Sequence, residues 1–277
     1  MSDDHYDDVA DDWSDYAEVP WRAQVLWPTL EELLPDLDGR RVLDAGCGDG
    51  YHAAALADRG ADVIGVDASE GMVATARERY GDRDRVAFRH GDLADGLDPL
   101  ADDGVDLVLC QHVLSHVPDL EPVAAAFARA LRPGGSVVCS THHPFHEYLV
   151  VREECYPDTR AIDGLDARPA VDADSRSPAY ADSERYALYW GGEVPDGTET
   201  GLDTDGDEGD EGDDANPSTF HRRPLDALTG PLFDAGFVLT GLREPDISER
   251  LDEELLDEVT DLAGRPPRSL CLRARLS

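Results

Sequence analysis

Short apolar runs alternate, over the first half of the chain, with longer stretches whose apolar positions recur at helical spacing. Val42-Leu43-Asp44-Ala45, Val63-Ile64-Gly65-Val66, Val86-Ala87-Phe88, Val105 to Cys110 and Ser136 to Ser140 read as strands of a sheet covered on both faces. Between them, Tyr51 to Gly60 is alanine-rich and ends in a glycine suited to a left-handed cap. Ser69 to Arg79 opens on a serine N-cap, and Leu120 to Leu131 completes the set of helices. Strands alternating with helices predict a doubly wound, parallel α/β sheet with helices on both faces. Right-handed crossovers then gather the C-terminal ends of the strands, and with them any ligand, on one edge.

The pattern outside this region differs. Trp21 to Leu34 carries Val25, Leu26, Leu30, Leu33 and Leu34 at helical spacing and ends at Pro35, so residues 1–38 form an N-terminal helical cap segment. Residues 39–143 hold the alternating core. From 144 to 220 the alternation stops, which predicts an insertion after strand five. Its stretch 201–214 repeats Asp-Gly and Glu-Gly steps with no apolar residue beyond Leu202 and is expected to be a solvated acidic loop. Order returns over 221–277 as a helix from Pro224 to Gly236, a strand from Phe237 to Leu242, an amphipathic helix from Ile247 to Leu262 and a last strand from Leu270 to Leu276.

Composition adds a solvent and a compartment. The 277 residues, 41% hydrophobic, suffice for one full core. The net charge of −37 comes from 61 acids against 24 bases, and all of those bases are arginine. Acidity spread along a lysine-free chain reads as adaptation to a salt-rich cytoplasm, and it disfavours electrostatic capture of nucleic acid. The five cysteines show neither a C-x-x-C pair nor zinc spacing, so a reduced compartment and no metal site are expected. The first residues carry no secretory signal, and no apolar run is long enough to span a bilayer.

The candidate chemistry starts at Asp44-Ala45-Gly46-Cys47-Gly48-Asp49-Gly50, a strand ending in a glycine turn ahead of a helix N-terminus. It is not the dinucleotide fingerprint G-x-G-x-x-G, because Tyr51 stands where the last glycine belongs. Asp67 ends the second strand about twenty residues on, where a carboxylate can accept both hydroxyl protons of a ribose. An acid followed by G-x-G-x-G, then a second strand ending in an acid, resembles the first two motifs of class I S-adenosylmethionine (SAM) dependent methyltransferases. His90-Gly91-Asp92-Leu93 resembles the third. Cys110 to Asp119 resembles the motif after strand four in small-molecule enzymes, with Ser115 where glutamate is usual, and Leu131 to Ser136 resembles the turn into strand five.

The resemblance covers about residues 40–143 and points to the methyltransferase type 11 group. It implies a seven-stranded sheet in the order 3-2-1-4-5-7-6, SAM as cofactor and S-adenosylhomocysteine as product. The cofactor-binding residues it implies are Asp44, Gly46, Cys47, Gly48, Gly50, Asp67, Ala68, Met72, Gly91, Asp92, Leu93, Gln111, His112 and His116. No Asn-Pro-Pro-Tyr, Asp-Pro-Pro-Tyr or Pro-Cys motif follows strand four, which favours a small-molecule acceptor over a nucleic acid base. A SAM-binding regulatory or SAM-modifying protein, or an RNA methyltransferase, are the alternatives.

An acceptor that starts as a hydroxyl or protonated amine must lose a proton, a task suited to histidine. His112, His116, His142, His143 and His146 follow strands four and five. Pro144 forces His143 into an extended conformation that can project inward, so His143 is the first candidate base and His112 the second. Trp13 and Tyr16 are expected over the substrate, with His221 and Arg222 as further substrate contacts.

Overall fold

The structure is a computed structural model in which residues 22–95, 104–155, 166–169, 179–189, 217–245 and 267–277 are described. Trp13, Tyr16, the acidic loop 201–214 and the expected helix 247–262 lie outside the described residues. The chain divides into two compact units, Met1–His143 with Thr229–Ser277, and Pro144–Leu228.

The first unit is built on a seven-stranded sheet in the order β3-β2-β1-β4-β5-β10-β9. Its strands are β1 (Arg41–Ala45), β2 (Asp62–Asp67), β3 (Val86–His90), β4 (Val105–Gln111), β5 (Leu131–His142), β9 (Phe237–Arg243) and β10 (Ser269–Leu276). The first five pair in parallel, and β10 runs antiparallel to both β5 and β9. This is the expected order 3-2-1-4-5-7-6. The last two strands count as ninth and tenth only because β6 (Asp166–Pro169), β7 (Glu184–Tyr189) and β8 (Pro217–Arg222) come between and form a separate sheet.

Helices α2 (Tyr51–Asp58), α3 (Glu70–Tyr80) and α4 (Leu120–Ala130) are the crossovers. Ser69 caps α3 by accepting from the Met72 N–H at 3.0 Å, and Asp119 caps α4 through Glu121 N–H at 3.0 Å. The N-terminal segment is shorter in regular helix than its periodicity predicts. A π-turn over Arg22–Leu26 leads into α1 (Trp27–Glu31). Pro28 has no N–H to give the Gln24 carbonyl four residues back, so the coil widens ahead of it. Leu26, Leu30 and Leu33 from this segment join Val42, Leu107, Leu109, Val138 and Cys271 in one apolar cluster on one face of the sheet. Each fully buried leucine there contributes about 2 kcal/mol.

β5 begins earlier than its apolar run. Val105 pairs with Leu131 and Leu107 with Ser136, so Arg132 to Gly135 bulge out of the ladder, with Gly134 at φ +79°. The antiparallel return of β10 brings the start of β10 to the edge where β4, β5 and β9 end: Ser269 pairs with His142, and Cys271 with both Ser140 and Arg243.

The second unit has elements of its own, which the loss of alternation after His142 does not reveal. Helix α5 (Pro144–Cys155) precedes an antiparallel sheet in the order β6-β7-β8. Tyr186 of β7 stacks on Phe220 of β8 at 5.5 Å and donates its hydroxyl to buried Glu147 of α5 at 2.6 Å. Helix α6 (Leu225–Asp234) then leads back to β9 and carries Pro231 within it.

Candidate functional site

The turn after β1 is made of glycines because nothing else fits. Gly46, Gly48 and Gly50 hold φ of +76°, +51° and +85°. A β-carbon on Gly46 would lie 2.2 Å from the Val113 side chain, and one on Gly50 would lie 2.7 Å from the Phe88 ring. The turn hangs from β2, since the N–H groups of Gly46 and Cys47 both donate to the Val66 carbonyl, at 2.7 and 3.0 Å. Cys47 points inward and is buried, with its thiol pushed well above the usual range chiefly by burial. It offers the site backbone rather than a nucleophile.

Asp67 fastens the same turn. Its carboxylate accepts from the Gly48 N–H at 2.8 Å and from the Ser69 N–H at 3.0 Å. Burial raises its pKa, and those N–H groups pull it back down. Ala68 lends its carbonyl to the His90 ring at 2.9 Å, and Met72 is buried beneath the cap of α3. Gly91 donates to the Asp67 carbonyl oxygen at 2.9 Å, which sets Gly91, Asp92 and buried Leu93 beside the end of β2. The Asp92 carboxylate accepts from the Ala94 N–H at 2.8 Å.

Asp44 is the exception in this acidic group. It is 1% exposed, and its Oδ2 has no hydrogen-bond partner. Burial first, then Asp67 and Asp49, raise its pKa to about 7. Asp49, by contrast, is paired with Arg79 at 2.5 Å.

Asp44 begins a polar row. It pairs with Leu109, two residues before Gln111, and Gln111 pairs with Ser140. Ser140 pairs with Cys271, two residues beyond Ser269. Side chains alternate along strands, so Asp44, Gln111, Ser140 and Ser269 share one face, one step nearer the ligand edge than the apolar cluster. Gln111 Oε1, Ser140 Oγ and, just past β4, Ser115 Oγ are buried without a hydrogen-bond partner. Such orphans in one place mark polar groups built for a ligand.

The histidines close the row. His112 turns out of β4 at φ +54° and is buried, with Nε2 3.1 Å from Ser269 Oγ and its ring 5.2 Å from that of His142. Burial, then the neighbouring His142 and Arg22, hold its pKa well below the usual 6.5, so it is neutral near pH 7. His116 is half-buried one turn on, its N–H donating to Val113. His143 is fixed twice: its N–H donates to the Arg268 carbonyl at 2.9 Å, and its Nε2 meets Glu244 Oε1 at 2.8 Å. Glu244, Ser269, Ser140 and His142 thus join the residues expected from motifs. Among the described residues, no group of three or more His, Cys, Asp or Glu could hold a metal ion, and no helix is long and apolar enough to cross a membrane.

The expectation for Arg222 is corrected. Its side chain is 0% exposed and paired with Glu184, with further donation to the carbonyls of Tyr180 at 3.2 Å and Ala179 at 3.4 Å. Its guanidinium lies 5.3 Å over the Tyr148 ring. All of these partners belong to the second unit, so Arg222 is a packing centre there and offers no donor to a substrate. His221, beside it on β8, is half-buried. Burial and then Arg223 and Arg185 lower its pKa to about 4, which keeps it neutral.

An acidic, glycine-lined turn with one unanswered carboxylate fits a ligand that brings a cation and close backbone contact. Comparison with known proteins agrees. Residues 43–139 match the family described as "Methyltransferase domain". A protein of Mycolicibacterium smegmatis described as a probable S-adenosylmethionine-dependent methyltransferase is 46% identical over 103 residues, 37% of this chain and 38% of that one. A ubiquinone biosynthesis O-methyltransferase of Alkalilimnicola ehrlichii is 40% identical over 116 residues, 40% of this chain and 45% of the relative. The chain thus spans about two fifths of the length of these curated relatives. Over nearly the whole chain the fold matches the crystal structure of an S-adenosylmethionine dependent methyltransferase from Mesorhizobium loti. The TM-score is 0.61 at 23% identity, covering 90% of this chain and 96% of that one.

Proposed function

We propose that this chain is a SAM-dependent methyltransferase acting on a small-molecule acceptor. The observation that carries the reading is the buried Asp44 carboxylate, its Oδ2 without a hydrogen-bond partner, at the foot of a glycine turn inside the segment that matches the methyltransferase domain. The relatives' names, which include O-methyltransferases of ubiquinone biosynthesis, support a small-molecule acceptor.

SAM, when bound, supplies an electrophilic methyl group on a sulfonium. The chain's part is to bind, orient and remove a proton. The turn's backbone admits the ligand. Asp67 gives its carboxylate to ribose hydroxyls, and Asp92 with the Leu93 N–H takes the adenine edge. Asp44 meets the methionine ammonium, with Gln111 beside it on the row. His143 takes the acceptor's proton. Glu244 holds that ring in place and stabilises the imidazolium that results, the usual service of a carboxylate to a histidine base. Positioning accounts for most of the rate.

Calorimetry with S-adenosylhomocysteine tests binding. Asp67→Ala is expected to weaken it by about 2–3 kcal/mol, because a charged acceptor of two hydroxyl protons is lost. Wild-type affinity in that variant would overturn the assignment. Transfer of labelled methyl from SAM into a small-metabolite extract, against none into RNA, tests the acceptor class.

The working environment we propose is a salt-rich cytoplasm. The support is the net charge of −37 on a chain whose 24 basic residues are all arginine. Folding gathers that charge into a small volume, and salt screens it. The thermal midpoint should therefore climb between dilute buffer and molar KCl, and a flat response would refute the proposal.

A further inference from the structure

The acids around the glycine turn are not equivalent. Asp67 holds two backbone N–H groups, at 2.8 and 3.0 Å, and Asp49 is paired with Arg79 at 2.5 Å. Asp44 feels the charge of both, is 1% exposed and has no hydrogen-bond partner on Oδ2. A carboxylate in that position has two ways to avoid the cost of a buried, unpaired charge: it can hold a proton or it can hold a cation. We infer that Asp44 alternates between the two, so that the ligand's ammonium group displaces a proton from Asp44 and binding releases that proton to solvent. The inference rests on the proposed SAM site and adds to it a proton stoichiometry.

The charged groups around Asp44 favour this exchange. Asp67 at the end of β2 and Asp49 in the turn are the charges that face Asp44, and both disfavour its ionised form. The Ala53 N–H of α2 is the one group that pulls the other way. Cys47 in the turn and Cys110 on β4 also feel Asp44, and burial keeps both thiols protonated. Gln111, in the same row on β4, carries no charge. Folding alone therefore leaves Asp44 titrating at about 7, within reach of physiological pH.

Below that value Asp44 is mostly protonated, and the ligand must first expel the proton. Above it the carboxylate is already ionised. S-adenosylhomocysteine, which carries the same amino acid group as SAM without the sulfonium, is the probe. Its Kd should be about tenfold lower at pH 8 than at pH 6. Calorimetry at pH 6 in two buffers of different ionisation enthalpy should show most of one proton released per ligand, and little at pH 8. Asp44→Asn should bind weakly at both pH values and release no proton. The wild-type measurement stands by itself should that variant fail to fold. Binding of S-adenosylhomocysteine that is equal at the two pH values and indifferent to buffer would overturn the inference while leaving the proposed function intact. No binding at either pH would overturn both.

Discussion

The ligand edge has an acidic half and a histidine half, and they are assembled on different principles. Around β1 and β2, Asp44, Asp67 and the glycine turn belong to one strand–turn–helix–strand segment, with Gly48 bonded to Asp67 nineteen residues away. Around β4, β5, β9 and β10 the groups come from remote parts of the chain: His112 meets Ser269 across 157 residues and His143 meets Glu244 across 101. The acidic half is preset by backbone geometry. The histidine half is held neutral at His112 by burial and steadied by hydrogen bonds between strand ends. One half can thus be fixed by a single local turn, whereas the other depends on the whole sheet closing correctly.

That contrast can be broken most severely at Gly46. Gly46→Ala combines a positive φ with a β-carbon 2.2 Å from Val113. It is expected to cost about 4 kcal/mol and to abolish S-adenosylhomocysteine binding. Gly134→Ala, also at positive φ but with open space around it, is the control and should lose only about 1 kcal/mol. Equal losses in thermal denaturation would mean that the turn is not the rigid half.

Asp44→Asn should have the opposite effect on stability. Folding raises this carboxyl's pKa from 3.8 to about 7, so the folded chain holds the extra proton between those values. Stability therefore falls as pH rises through that window, and above it the buried charge costs at most about 4 kcal/mol. The amide removes this cost, so the variant's thermal midpoint should exceed the wild type's at pH 8 and match it near pH 4. A midpoint below wild type at pH 8 would show that the carboxylate is already compensated.

The histidine half gives a kinetic effect. His143→Ala should lower kcat about a hundredfold with S-adenosylhomocysteine affinity unchanged. Glu244→Gln should lower kcat less, about tenfold, because the ring loses the carboxylate that fixes its orientation at 2.8 Å. The measurement is methyl transfer into the extract fraction that the wild type labels. Unchanged rates in both variants would remove this pair from the reaction.

The same contrast decides what could be read in the sequence. The five parallel strands, the glycine turn, the place of Asp67 at the end of β2 and the Ser69 cap were legible because each is encoded within a few residues or by a repeated period, whereas the strand order came from the family resemblance. Glu244 and Ser269 were not, since only the antiparallel return of β10 brings them to the ends of β4 and β5. Arg222 was expected as a substrate contact, yet Glu184 and a ring of carbonyls bury it completely, the largest fully buried side chain among the described residues. The helix and sheet between Pro144 and Leu228 were hidden by the same polar composition. The sequence also makes nothing of the π-turn, which needs Pro28 to be weighed against Gln24.

The closeness of Gly46 to Val113 has a consequence for inheritance. The two positions are separated by 67 residues, yet Val113 fills the volume that any side chain at position 46 would need. Descendants of this chain can therefore enlarge position 46 only after position 113 has shrunk. The reverse order costs nothing sterically, so the path between the two states runs in one direction through a small residue at 113. Drift at position 113, in the loop after β4, thereby sets which glycine turns remain open to the lineage.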